Sequence, residues 1–283
     1  MKDKRLYTPQ AVRESIERGG LRLTKSLGQN FLQDGNIVRK IAETAEISEQ
    51  DVCLEVGPGI GTLTEELSLR AHHVIAVEID KHLIPVLSEN LAWRENITIH
   101  HGDVLKTDIH ALVAPFIEEG RKIKVVANLP YYITTPILTN LLAAGELIES
   151  ITAMMQREVA ERIVAPVGSS NYGSLSVYMS HYANTEISFI VPPKVFVPPP
   201  KVESAVVHFT RKPGGKMEEE FFAFVRAGFG QRRKTLVNSI HHNAGFEKEQ
   251  IRSALLSLGL SEDVRAQALT GEEFQKLYLL LRG

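Results

Sequence analysis

The chain has 283 residues, a formal net charge of −2 and 43% hydrophobic content, which suits one large globular domain plus a small one. Net charge excludes only a wholesale polyelectrolyte binder, so charge has to be sought in local clusters. The single cysteine, Cys53, leaves no disulfide and no thiolate metal site. Nowhere do the roughly 18 apolar residues of a membrane span run together, and "MKDKRLYTPQ" opens no signal peptide, so a cytoplasmic protein is expected.

In chain order, "TPQAVRESIERGG" predicts an N-terminal helix with Thr8 as cap, Pro9 in the first turn and glycines closing it. β-rich runs then alternate with helical stretches: "DVCLEV", "HVIAVEI", "NITIHH", "KIKVVANL", "SITAMMQ", "EISFIV" and "SAVVHFT". Such alternation implies an α/β fold, a mostly parallel sheet with helices on both faces. The last two runs are joined by "PPKVFVPPPKVE", too rich in proline for a crossover helix, so they are expected to pair antiparallel at the sheet's edge. Beyond "RKPGGK" the periodicity turns helical. The expected division is therefore 1–212, carrying the sheet and an N-terminal helical extension, and 213–283, a small helical domain.

The first chemical motif is "LEVGPGIGTLTEEL", a strand, a glycine turn and a helix start. Gly57, Gly59 and Gly61 remove Cβ atoms where a ligand approaches the backbone, and Glu78 ends the next strand about 20 residues on, placed to accept from a ribose diol. Thr62 replaces the third glycine of a dinucleotide fingerprint, and Pro58 deletes a backbone donor that would cradle a pyrophosphate. A nucleoside cofactor without phosphates is implied, and S-adenosylmethionine is one. Asp103, in "HHGDV", could accept from its adenine amine. Each of Glu55, Glu78 and Asp103 could instead cap the helix after it; their recurrence at one sheet edge favours a shared ligand.

The second motif is "NLPYYITTPIL". An exocyclic base amine is a poor nucleophile, and a site that accepts its two hydrogens stabilises the charge developing on nitrogen. Asn128 offers a side-chain carbonyl, Pro130 holds Leu129 extended so that its backbone carbonyl can point to the same pocket, and Tyr131 would stack on the base. A base must leave its stack to reach such a site. Phe196, between prolines in "VFVPPPKVESAV", is the candidate for its second face, although a phenylalanine there also suits a core.

Together "SLGQNFL", "EVGPGIGTLT", "VEID", "ANLPYYITTPIL", "MMQREVAERI", "YGSLSV", "VFVPPPKVESAV" and "GQRRKTLVNSI" resemble the bacterial small-subunit ribosomal RNA adenine N6-dimethyltransferases over nearly the whole chain. The resemblance implies a Rossmann-like class I S-adenosylmethionine-dependent methyltransferase sheet with a small C-terminal helical domain. It implies transfer of methyl groups to N6 of two adjacent adenines in a hairpin loop near the 3′ end of 16S rRNA, within an immature small ribosomal subunit, by a protein expected to be monomeric. It also implies that Asn30 and Leu32 line the cofactor's methionine end, that Gly57 touches its backbone, Glu78 its ribose and Asp103 its adenine.

The first thirty residues are basic, with Lys2, Lys4, Arg5, Arg13, Arg18, Arg22 and Lys25. By charge alone, Arg232, Arg233 and Lys234 of "RAGFGQRRK" read as a solvated face; "RAGFGQRRKTLVNSI" is expected to begin as a helix, and the resemblance makes the three residues candidate phosphate contacts. The pairs His72-His73, His100-His101 and His241-His242 have no third ligand at a useful spacing, so no metal is expected. Related 23S rRNA dimethyltransferases and adenine-N6 DNA methyltransferases are the enzyme alternatives, and the C-terminal half weighs against them; against nucleic-acid-binding transcription factors stand the retained Asn128, Tyr131, Glu78 and Asp103.

Overall fold

The computed structural model describes residues 5–21, 30–214 and 218–283. Lys2, Lys4, Arg22 and Lys25 of the basic segment, and the first half of "SLGQNFL", lie outside them.

Nine strands are described: β1 Phe31–Leu32, β2 Asp51–Val56, β3 His73–Glu78, β4 Ile97–His101, β5 Lys122–Asn128, β6 Ile148–Gln156, β7 Ala183–Val191, β8 Phe196–Val197 and β9 Ser204–Arg211. Between and after them run α1 Pro9–Arg18, α2 Gly35–Thr44, α3 Thr62–Ser68, α4 Leu83–Leu91, α5 Ile109–Glu118, α6 Thr134–Ala143, α7 Arg157–Ile163, α8 Ser174–Tyr182, α9 Glu219–Phe229, α10 Leu236–Ala244, α11 Lys248–Ser257 and α12 Gly271–Arg282. None of the described helices is long and apolar enough to cross a membrane.

The chain divides into two compact units, residues 1–160 with 186–211, and 161–185 with 212–283. One crossing point lies at 211–212, and 161–185, apart from the first three residues of β7, group with the C-terminal helices rather than with the sheet. The reason is aromatic. Tyr178 of α8 meets Phe222 of α9 at 4.5 Å between ring centroids. Tyr172 packs edge-on to Phe229, and its hydroxyl donates to the carbonyl of Leu269 at 3.0 Å.

In the first unit the seven-stranded sheet has the order β4-β3-β2-β5-β6-β9-β7. β2 pairs in parallel with β3 and β5, β3 with β4, and β5 with β6, and β9 enters antiparallel to β6. The two late runs are neighbours at the edge, as expected. Every residue of β2 is buried, as befits a central parallel strand covered on both faces. Val38 and Ile41 of α2 and Leu67 of α3 pack with Cys53, Val126, Met154 and Val206 in one cluster. That burial pushes the Cys53 thiol pKa up, with Glu55 and Asp51 adding to the shift.

Helix starts follow local chemistry. Thr8 caps α1 by accepting from the N–H of Ala11, with Pro9 at the first turn, and Asp34 caps α2 through the N–H groups of Asn36 and Ile37. At the sheet's amino-terminal edge, buried Lys124 donates to the carbonyl of Glu46 at 2.6 Å and pairs with Asp51 at 3.2 Å. The carboxyl edge is left for the site. The strand order reverses between β2 and β5, and ligands of open α/β sheets bind at such a switch point.

Candidate active site

Gly57 and Asn128 flank that switch point. A Cβ built on Gly57 would lie 4.0 Å from the backbone oxygen of Asn128, so the glycine turn and the "NLPY" segment face each other. Gly57 and Gly59 have φ of 69° and 63°, a region that costs a side chain about 1–2 kcal/mol. Gly61 at φ 92° opens α3.

A cavity here is lined by Asn30, Leu32, Gly57, Gly59, Glu78, Asn128, Leu129, Pro130 and Tyr131, together with Phe31, Glu55, Pro58, Thr62, Leu63, Ile79, Leu83 and Tyr132. Most residues singled out in the two motifs thus converge on one place; Gly61 instead faces α4, where a Cβ would lie 2.9 Å from Leu87, and Asp103 and Phe196 also stand apart from the lining. Asp103 stands just beyond the end of β4, outside this lining; one of its carboxylate oxygens accepts from the N–H of Leu105 at 3.0 Å, and the other keeps its acceptor capacity for the adenine amine proposed for it. Phe196 does not project. It is 1% exposed, because β8 pairs antiparallel with β1 in the register Leu32↔Phe196, which sets the ring in the core beside Leu32 and Val38. A two-residue strand has no period to read, so nothing local announces this pairing. Of the lining residues that sequence reasoning missed, Ile79 and Tyr132 are 52% and 58% exposed. Ile79 directly follows Glu78 and Tyr132 directly follows Tyr131, and that adjacency to residues already singled out was the available signal.

The electrostatics are acidic. Glu78 is 4% exposed and accepts from Gly59 N–H at 3.1 Å and Asp80 N–H at 2.8 Å. Burial raises its pKa while those hydrogen bonds oppose the rise. Glu55 is buried with Oε2 unpaired; burial pushes its pKa up to about 8, nearby Thr64 pulls the other way, and Glu78 adds to the rise. Among the described residues no lysine or arginine lines the cavity. Such a pocket suits a cationic ligand without phosphates, which is the character of S-adenosylmethionine, with its sulfonium and ammonium. Glu78 and the glycine turn fit a ribose, as acceptor and as open backbone.

On the opposite wall, the Asn128 amide nitrogen donates to the Asn30 carbonyl at 3.1 Å, which turns Oδ1 away as an acceptor. Leu129 N–H donates to Met154 at 3.0 Å. The carbonyl of Pro130 takes the Ile133 N–H at 3.2 Å and the Thr134 hydroxyl at 3.0 Å, so the turn is fixed. The Tyr131 hydroxyl meets Ser204 Oγ at 2.6 Å, and burial raises its pKa. It stays a neutral phenol.

In the second unit, the stretch from Arg226 begins in the last turn of α9, as expected, and Arg232, Arg233 and Lys234 occupy the turn between α9 and α10; α10 starts after its Thr235 cap. All three are exposed. Arg232 donates to the carbonyls of Ser170 at 2.6 Å and Tyr172 at 3.1 Å, so part of its role is to hold a loop. No group of three or more His, Cys, Asp or Glu that could hold a metal is found among the described residues.

A glycine turn and an acidic strand end above a sheet with one antiparallel strand let in beside its edge define an α/β fold of the class I methyltransferase type. Residues 20–282 match the model of the ribosomal RNA adenine dimethylase family. Similar proteins include the ribosomal RNA small subunit methyltransferase A of Ligilactobacillus salivarius (strain UCC118), 46% identical over 96% of this chain and 94% of the relative. That of Bacillus mycoides (strain KBAB4) is 44% identical over 98% and 97%. Among solved structures, a dimethyladenosine transferase from Plasmodium falciparum superposes with a TM-score of 0.73 at 26% identity, covering 88% of this chain and 96% of its own. The 23S rRNA methyltransferase ErmE gives 0.68 at 27%, covering 90% and 100%. The chain belongs to the ribosomal RNA adenine dimethylase family, and is by that membership a methyltransferase of ribosomal RNA.

Proposed function

We propose that the protein transfers methyl groups from S-adenosylmethionine to N6 of two adjacent adenines in the hairpin loop near the 3′ end of 16S rRNA, acting as a cytoplasmic monomer on an immature small ribosomal subunit. The observation that carries the chemistry is the pairing of an acidic, cation-free cavity with an anchored amide acceptor at its rim. When bound, the cofactor supplies an activated methyl on a sulfonium.

The chain's own residues do the positioning. Asn128 Oδ1 and the Leu129 carbonyl accept the two hydrogens of the adenine amine, which favours a pyramidal nitrogen and stabilises its developing charge. Tyr131 holds the base by stacking, oriented by Ser204. Glu78 and the glycine turn hold the ribose, and Asn30 and Leu32 border the methionine end. No strong general base is needed, because the methylated amine is transiently cationic and loses its proton to water. Holding amine and methyl in line contributes several kcal/mol. Arg233 and Lys234, with Arg232 in support, take RNA phosphates.

Mass-spectrometric mapping of methylated adenines in 16S and 23S rRNA, from cells with and without the gene, tests the reading. Two adjacent dimethyladenines near the 16S 3′ end should disappear with the gene. Loss of a 23S mark instead would overturn it.

A further inference from the structure

The cavity's rim carries two tyrosines in succession, and they are employed differently. Tyr131 is half-buried and its hydroxyl is taken by Ser204. Tyr132 is 58% exposed yet lines the same cavity. Among the described residues its hydroxyl meets no hydrogen-bond partner and its ring no aromatic or cationic one. The backbone that carries it is held, because both bonds to the Pro130 carbonyl close the turn beneath it and α6 follows from Thr134. A large ring is thus placed at the mouth of the cavity with most of its surface in water.

Resting on the reading above, the reaction places a second base beside the pocket, because the target adenine is covalently joined to its neighbours. A neighbour pulled from its stack needs an aromatic face, and base–aromatic stacking tolerates any base. Phe196 cannot serve, being buried in the core. We infer that Tyr132 is a stacking platform for the nucleotide adjoining the target adenine, and so a substrate-positioning residue for a single-stranded purine pair. Tyr131 grips the base being methylated; Tyr132 grips the one next to it.

The test uses the full-length protein and two immature small-subunit particles reconstituted around 16S rRNA, one with intact RNA and one in which the nucleotides flanking a single target adenine are abasic. Methyl transfer is followed for the parent, Tyr132→Ala and Tyr132→Phe, with cofactor binding measured by calorimetry. On intact RNA, Tyr132→Ala should raise KM about tenfold, with the loss falling on KM rather than kcat, while Tyr132→Phe stays within about twofold because stacking needs only the ring. On abasic RNA the parent should lose the same factor and Tyr132→Ala should lose nothing further. An equal loss for Tyr132→Ala on both RNAs, or weakened cofactor binding, would overturn the assignment. A parent inert on both RNAs overturns the underlying reading too, whereas an active parent with the wrong pattern overturns this inference alone.

Discussion

Replacing Glu55 by Gln should change how stability depends on pH, in a direction the structure fixes. The carboxyl is buried with one oxygen unpaired, and its pKa stands at about 8 against an ordinary 4.5. The native state therefore holds a proton that the unfolded chain gives up between those values. Stability from this group is fully present below about pH 4.5 and is lost as pH rises through about 8. At about 1.4 kcal/mol per pH unit, that span caps the effect at about 5 kcal/mol. Glutamine keeps the shape and cannot ionise. Denaturant unfolding of the ligand-free protein from pH 5 to 9 should show the parent losing several kcal/mol relative to Glu55→Gln, with the variant ahead at pH 9. Glu78 is raised in the same direction and its charge adds to the rise at Glu55, so the same comparison in a Glu78→Gln background separates the two. Parallel stability curves would refute the reasoning, since Glu55 would then be ionised or solvated in the native state.

Other outcomes follow from the same site. Glu78→Ala should weaken S-adenosylmethionine binding by about 1.5–3 kcal/mol in calorimetry through loss of a charged acceptor; unchanged affinity would misplace the ribose. Asn128→Ala should fold and still bind the cofactor while methyl transfer falls on the order of 100-fold, whereas Tyr131→Phe, which loses only the bond to Ser204, should remain active and cost about 1 kcal/mol of stability. Arg233→Ala with Lys234→Ala should flatten the plot of log RNA affinity against log salt by about 0.7–0.9 for each RNA phosphate no longer neutralised, with thermal stability unchanged. Adding Arg232→Ala should lower stability as well, because Ser170 and Tyr172 lose their donor.

The sheet was legible because its strands are apolar, β-branched runs separated by helical periods, and burial on both faces leaves that mark wherever strands are central. The glycine turn, Glu78 and "NLPY" were legible because their chemistry is local to a few residues. What could not be read is non-local. Residues 161–185 look like part of the sheet's alternation until Tyr172 and Tyr178 find Phe229 and Phe222. Phe196 sits among prolines that suggest a loop, and only its pairing with Leu32 turns it inward.

The pairing of Phe31 with Val197 and of Leu32 with Phe196 has a consequence for synthesis. Asn30 and Leu32 reach their places beside the cavity only when a segment made some 165 residues later has arrived to pair with them, and β9, the last strand of the sheet to be made, must still insert between β6 and β7. A ribosome adding about 5–20 residues per second thus needs many seconds between making the first wall of the cavity and making its brace. Nascent chains shorter than that carry the Asn30–Leu32 wall without its brace, so the cavity is completed only on a fully translated sheet.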